Sequence, residues 1–234
     1  PRVPGGDEPH YLVITQSLLR DGDLAIEDNH RDRQYLAYFD GGLKPDFMRR
    51  GRDRQIYSIH APGTSAVVLP AFALAGYAGA VLSVALIVAA GLAALWVAAY
   101  RLTRSTAGAW VSAGALMVAA PFVLMSFTIY PDLIGSAVVA LALLALVTVD
   151  AGQAWSGRAW VAVGAALALL PWLHTRFAVT AAAFGAVLAL RAWQTGRLAA
   201  VARPLPVPAL AAAGWVGALL PLRWALALPG AAPW

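Results

Sequence analysis

The sequence predicts an all-α fold, a polytopic transmembrane helical bundle with an extracytoplasmic first loop, and three observations predict it. Of 234 residues, 60% are hydrophobic and only 12% are charged, whereas soluble domains carry roughly 25% charged residues. The charge is segregated: residues 1–65 hold nine of the 17 Lys and Arg and ten of the 12 Asp and Glu. The remainder contains apolar runs of about 20 residues, the length a spanning helix needs. The expected division is an extracytoplasmic segment over 1–65, with an acidic motif and short helices, and a membrane region of about six segments over 66–234. The chain starts without Met and stops in apolar sequence, so it reads as a fragment incomplete at both ends.

Net charge is +5 and the pI about 10.0. The arginines flank apolar runs instead of lining one basic face, which points to membrane topology and against a nucleic-acid partner. The absence of Cys excludes disulfides, thiolate zinc sites and thiol catalysis.

In chain order, Glu8 and Pro9 suit a helix start, and Tyr11, Leu12, Thr15, Leu18 and Leu19 follow at helical spacing. Residues 21–54 are charged without clear periodicity and read as loop with short elements. Residues 64–76 are apolar but too short to span, predicting an interfacial helix that leads into a first span over 79–100. Further apolar runs follow over 107–127, 133–149, 159–170, 177–190 and 207–228. Loops 101–106, 150–158 and 191–206 carry two, one and three Arg, whereas the 127–132 turn carries none. The positive-inside rule therefore puts residues 1–65 and the turns at 130 and 174 on the outer face. Trp155, Trp160, Trp172 and Trp193 fall near span ends, as an interfacial belt requires.

Polar residues on that outer face are the candidates for chemistry. Asp7 and Glu8, followed by His10, either cap a helix or supply a general base with a partner that orients it or holds a cation. The acidic run from Asp21 to Asp32 fails the calcium-loop pattern, with Ile26 where Gly is needed and Asp32 where Glu is needed. Arg49, Arg50, Arg52 and Arg54 form a basic run suited to a solvated or interfacial surface, and His60 opens a rigid turn, His60-Ala61-Pro62-Gly63. Asp132 is costly at the edge of apolar sequence unless it faces water or a partner, or caps the helix after Pro131. His174 and Arg176 interrupt two short apolar segments. Arg176 could hold a phosphate bidentately, pair with Asp132 or reach the interface.

Gly6-Asp7-Glu8-Pro9-His10-Tyr11, Ile59-His60-Ala61-Pro62-Gly63, Ile129-Tyr130-Pro131-Asp132 and Pro171-Trp172-Leu173-His174-Thr175-Arg176-Phe177, in that order, resemble bacterial membrane glycosyltransferases of the C-type (GT-C) fold, related to protein O-mannosyltransferases. The resemblance implies transfer of a sugar from a polyprenyl-phosphate donor, typically with inversion, by a multi-pass enzyme of the plasma (inner) membrane acting on the extracytoplasmic side. It implies Asp7, Glu8 and His10 as catalytic residues and His60, Tyr130, Asp132, His174 and Arg176 as substrate-binding residues. Tyr130-Pro131-Asp132 departs from the more familiar Tyr-Pro-Glu, which keeps the carboxylate and shortens its reach. The expected partners are the donor, a lipid, glycan or protein acceptor and the bilayer. The residues fix no cofactor, and metal dependence stays open, with a divalent cation the one cofactor these residue types suggest. The rival reading is a transporter or lipid flippase that uses the same charges along a pathway. The long polar first segment favours an enzyme, and matched broken midplane segments are not visible.

Overall fold

The computed structural model describes residues 4–50, 54–153 and 155–196, so the expected last segment at 207–228 lies outside the described residues. Helix α1, Glu8–Arg20, starts with Pro9 in its first turn, where a missing N–H costs nothing. It is buried from Glu8 to Ser17 because it has two cores to serve. Tyr11 and Leu12 join the main helical core, while Val13 and Ile14 pack with Ile26 and Tyr35 in a smaller one.

That smaller core is closed by α2, Glu27–Arg31, a 3₁₀ turn over Gln34–Ala37 and an antiparallel hairpin of β1, Phe47–Arg50, and β2, Gln55–Ser58. The hairpin is a departure from the all-α expectation. Two residues of the basic run expected as surface, Arg49 and Arg50, end β1, with Met48 opposite Tyr57 and Arg49 opposite Ile56. The acidic run is structural, in keeping with its failure as a calcium loop. Asp21 accepts from Asn29 Nδ2 at 2.9 Å, and Asp23 accepts from the Ala25 N–H at 3.0 Å as an Asx turn does.

The rest is helical. α3 runs over Gly63–Thr103 and unites the expected interfacial helix with the first expected span, bending between them at Ala75 and Gly76. Gly76 takes φ +57° and ψ −144° there, a conformation open to glycine alone at low cost. The run at 107–127 is one expected span, but it forms two helices, α4, Thr106–Met117, and α5, Ala120–Met125. Pro121 lacks the N–H that a continuous helix would bond to Met117 and its ring would clash with that carbonyl, so the helix stops and restarts. α6, Pro131–Asp150, α7, Gly157–Leu173, and α8, Phe177–Gln194, follow. Ser105 and Ser156 cap α4 and α7 by accepting from Gly108 and Ala159 N–H groups.

α6 is the central helix and packs against α3, α7 and α8. The approach to α3 is close at Gly91, where a Cβ would lie 2.7 Å from Ala137 Cα. Among the described residues three helices, α3, α6 and α8, are long and apolar enough to cross a membrane. Leu82 and Leu86 on α3, and Val179 and Val187 on α8, face outward uncovered, the pattern of helices surrounded by lipid.

Chain direction places the start of α6, the end of α7 and the start of α8 together at one end. At the opposite end Arg101 donates to Thr148 Oγ1 at 2.7 Å, and Arg191 lies 3.7 Å from Asp150. A side chain at position 91 cannot fit without moving α3 or α6, an overpacking cost of about 1–3 kcal/mol. Gly91→Val should therefore lower the thermal midpoint by about 2–10 °C, whereas Gly114→Ala, with open space around it, should leave it near wild type.

Candidate functional site

Helical geometry separates the residues of the acidic motif. Neighbours along a helix point about 100° apart, whereas positions i and i+4 share a face. Asp7 and Tyr11 accordingly line one cavity of about 490 Å³ at the α6–α7–α8 end, while Glu8 turns inward.

Asp7 precedes α1 but its side chain makes no capping hydrogen bond, so its exposed carboxylate is left to the cavity. Glu8 is 4% exposed and fully engaged by backbone. One oxygen accepts from the Ile129 N–H at 2.7 Å and the other from the Gly5 N–H at 3.0 Å. The Tyr130 hydroxyl completes the junction, accepting from the Asp7 N–H at 2.9 Å and donating to the Gly5 carbonyl at 3.2 Å. Gly6 is needed twice in this loop: its φ is +59°, and a Cβ would sit 2.2 Å from that hydroxyl. Burial raises the Tyr130 phenol pKa, as does the nearby Asp7 charge, so the hydroxyl keeps the proton it donates. Tyr11 is pushed up to about 12, by burial first and then by Asp7 and Asp132.

The second wall comes from the ends of α6 and α7. Asp132 does not act as a simple cap; it forms an ion pair with Arg176. The Arg176 guanidinium also lies 5.0 Å from the centroid of the Phe177 ring, a cation–π contact, and that ring packs on Gly135, where a Cβ would lie 3.1 Å away. Arg176 is thus held between a carboxylate and an aromatic face, with about half of its side chain exposed. The Arg176 N–H donates to His174 Nδ1 at 3.2 Å, which makes Nδ1 an acceptor and leaves the imidazole proton on Nε2.

The third wall is the His60 turn. Gly63 permits α3 to start against the end of α7, since a Cβ there would lie 2.4 Å from the Trp172 carbonyl. His60 lines the cavity. Burial pushes its pKa down, against the Asp7 and Asp46 charges, so it is neutral at pH 7. His10 lies outside the cavity lining, buried behind His60 with the two rings stacked at 5.5 Å.

Six of the eight residues singled out by sequence, Asp7, His60, Tyr130, Asp132, His174 and Arg176, therefore line one cavity, while Glu8 and His10 stand behind it. Tyr11, Met125 and Thr175 also line it without having been singled out. Tyr11 was legible as the residue one helical turn after Asp7; Met125 carried no signal. Asp132 also lines a second, mostly apolar groove of about 350 Å³ that follows α6 through Gly135, Ser136, Val139 and Leu143. At 1.5 Å per residue this stripe is about 16 Å long. No known protein family, curated protein or solved structure matches this chain.

The two adjacent carboxylates should behave differently. Glu8→Gln puts an NH₂ against one of two backbone N–H groups, and a buried donor left unpaired costs about 1–3 kcal/mol. Its thermal midpoint should fall by several degrees while Asp7→Asn stays at wild type, as differential scanning fluorimetry in detergent would show.

Proposed function

We propose that the chain is a membrane glycosyltransferase that moves a sugar from a polyprenyl-phosphate-linked donor to an acceptor hydroxyl on the extracytoplasmic side of the inner membrane. The observation that carries this reading is the union, at Asp132, of a polar cavity bearing a carboxylate and a guanidinium with an apolar groove along α6. A lipid-linked sugar has the same two halves. Its phosphate and sugar suit the cavity, and its hydrocarbon chain suits a groove on a helix long enough to cross the bilayer.

In this mechanism the acceptor oxygen attacks the anomeric carbon, the bond from that carbon to the phosphate oxygen breaks, and polyprenyl phosphate leaves with the electron pair. Asp7 takes the acceptor proton. It is free of capping duties and its backbone is fixed by Tyr130 and, through Gly5, by Glu8. Arg176 meets the phosphate charge. Asp132 positions its guanidinium, which has five donors and keeps several for a phosphate. His174 offers Nε2–H to the leaving oxygen, and His60 borders the sugar. The orientation is supported by Arg101, Arg104, Arg158 and Arg191 at the helix ends remote from the cavity, since the positive-inside rule favours such ends in the cytoplasm.

Loss of a positioned general base typically costs 10²- to 10⁴-fold in rate. Asp7→Asn should therefore lower sugar transfer from polyprenyl-phosphate donors by about that factor, with its binding of undecaprenyl phosphate unchanged. Arg176→Lys keeps the charge without the planar fork, and its binding of undecaprenyl phosphate should weaken about tenfold or more. A single Cys in place of the exposed Asp40 should react with an impermeant maleimide from outside the cell. Normal transfer by Asp7→Asn would remove the proposed base, and lipid movement without any glycosylated product would favour a transporter.

A further inference from the structure

Three metal-ligand side chains from separate parts of the chain meet behind the cavity wall: His10 in α1, Asp46 just before β1, and His60 between β2 and α3. The His10 Nε2 lies 3.4 Å and the His60 Nε2 3.9 Å from the same Asp46 oxygen, Oδ2. All three ligand atoms lie within 4.8 Å of one another. Zinc bonds of about 2.0–2.2 Å in a tetrahedral shell put neighbouring ligand atoms roughly 3.3–3.5 Å apart, so His10 and Asp46 already have that spacing and His60 must close in on them for the three to hold one ion.

A second observation points to a ligand. The His60 Nε2 is buried without a hydrogen-bond partner, a state that native structures avoid and that an ion bound at this nitrogen would relieve. The imidazole is packed in place, with the His10 ring stacked on it and Tyr11 at 4.9 Å. Asp46 is half exposed, which leaves a side for ion entry and for water. Glu8, expected from sequence to help orient the base or hold a cation, is committed to the Gly5 and Ile129 amides.

We propose that His10, His60 and Asp46 bind one zinc-class divalent cation, with water as fourth ligand, and that the ion ties the Asp46 segment to α1 and to the entry of α3. Two imidazoles and one carboxylate match the nitrogen and oxygen donors zinc takes, whereas magnesium and calcium favour oxygen alone. The site rests on coordination geometry and is independent of the glycosyl-transfer reading.

The test uses the full chain in detergent, stripped with EDTA and titrated with Zn²⁺ by calorimetry and with Co²⁺ by visible absorption. The expected result is one ion per chain, a rise in thermal midpoint with Zn²⁺, and the intense visible bands of four-coordinate Co²⁺. Partners outside the first coordination shell alone are worth 10- to 100-fold in affinity, so loss of a direct ligand in Asp46→Asn should weaken Zn²⁺ binding by more than tenfold. Asp40→Asn, an exposed carboxylate in the same region, should bind as wild type. His10 and His60 are packed, so Asp46→Asn decides: it should match the metal-free wild type in stability and lose the metal-induced rise. Absence of stoichiometric binding, or equal affinity in wild type and Asp46→Asn, would overturn the site. Neither outcome depends on whether sugar transfer is detected.

Discussion

The cavity end of the molecule depends on how the buried carboxylate of Glu8 is satisfied. A charge taken from water is tolerated only when protein dipoles replace its hydration, and here two backbone N–H groups do so, from Gly5 and Ile129. Neither amide has a helical acceptor, because one precedes α1 and the other precedes α6. The carboxylate thereby joins two helix starts 121 residues apart. Tyr130, next to Ile129, then reaches Gly5 and the Asp7 amide, and Asp7 is presented to the cavity with its carboxylate uncommitted.

A second, looser junction holds the opposite wall. The Asp132–Arg176 pair joins the start of α6 to the start of α8, and Gly135 lets Phe177 close beneath it. Both side chains are partly exposed, so the pair contributes little to stability and can exchange a carboxylate oxygen for a phosphate oxygen. Glu8 itself is buried with both carboxylate oxygens bonded to backbone, whereas the Asp132–Arg176 pair is partly exposed to the cavity. This contrast fits an anchored base facing a replaceable anion.

Much of this was legible because apolar length and arginine placement are coarse properties that tertiary packing cannot reverse. The start of α6 at Pro131, just after Tyr130, and the break around His174 follow from local chemistry alone. The bend of α3 was visible as two apolar pieces around Gly76. Pro121 carried the signal for the α4–α5 break, yet hydropathy summed over 107–127 concealed it. The β1–β2 hairpin was hidden because its strands are four residues each and the first ends in two arginines. At the site, the alternation of Arg-bearing loops put Asp7, Tyr130, Asp132, His174 and Arg176 on one face, and the structure brings them around one cavity. That alternation could not separate Asp7 from Glu8, which required knowing which face of α1 meets Ile129. Asp46 was beyond reach, since its meeting with His10 and His60 depends on the small core that packs behind α1.

The central claim is that one amphiphilic substrate spans the polar cavity and the α6 groove. Photocrosslinking with an undecaprenyl phosphate that carries a diazirine near the phosphate and along the chain tests it most directly. The account predicts crosslinks at Asp132, Ser136, Val139 and Leu143 that are lost on competition with unlabelled undecaprenyl phosphate. Specific crosslinks confined to the apolar cleft of Trp96 and Trp110 between α3 and α4, or none that compete, would contradict it.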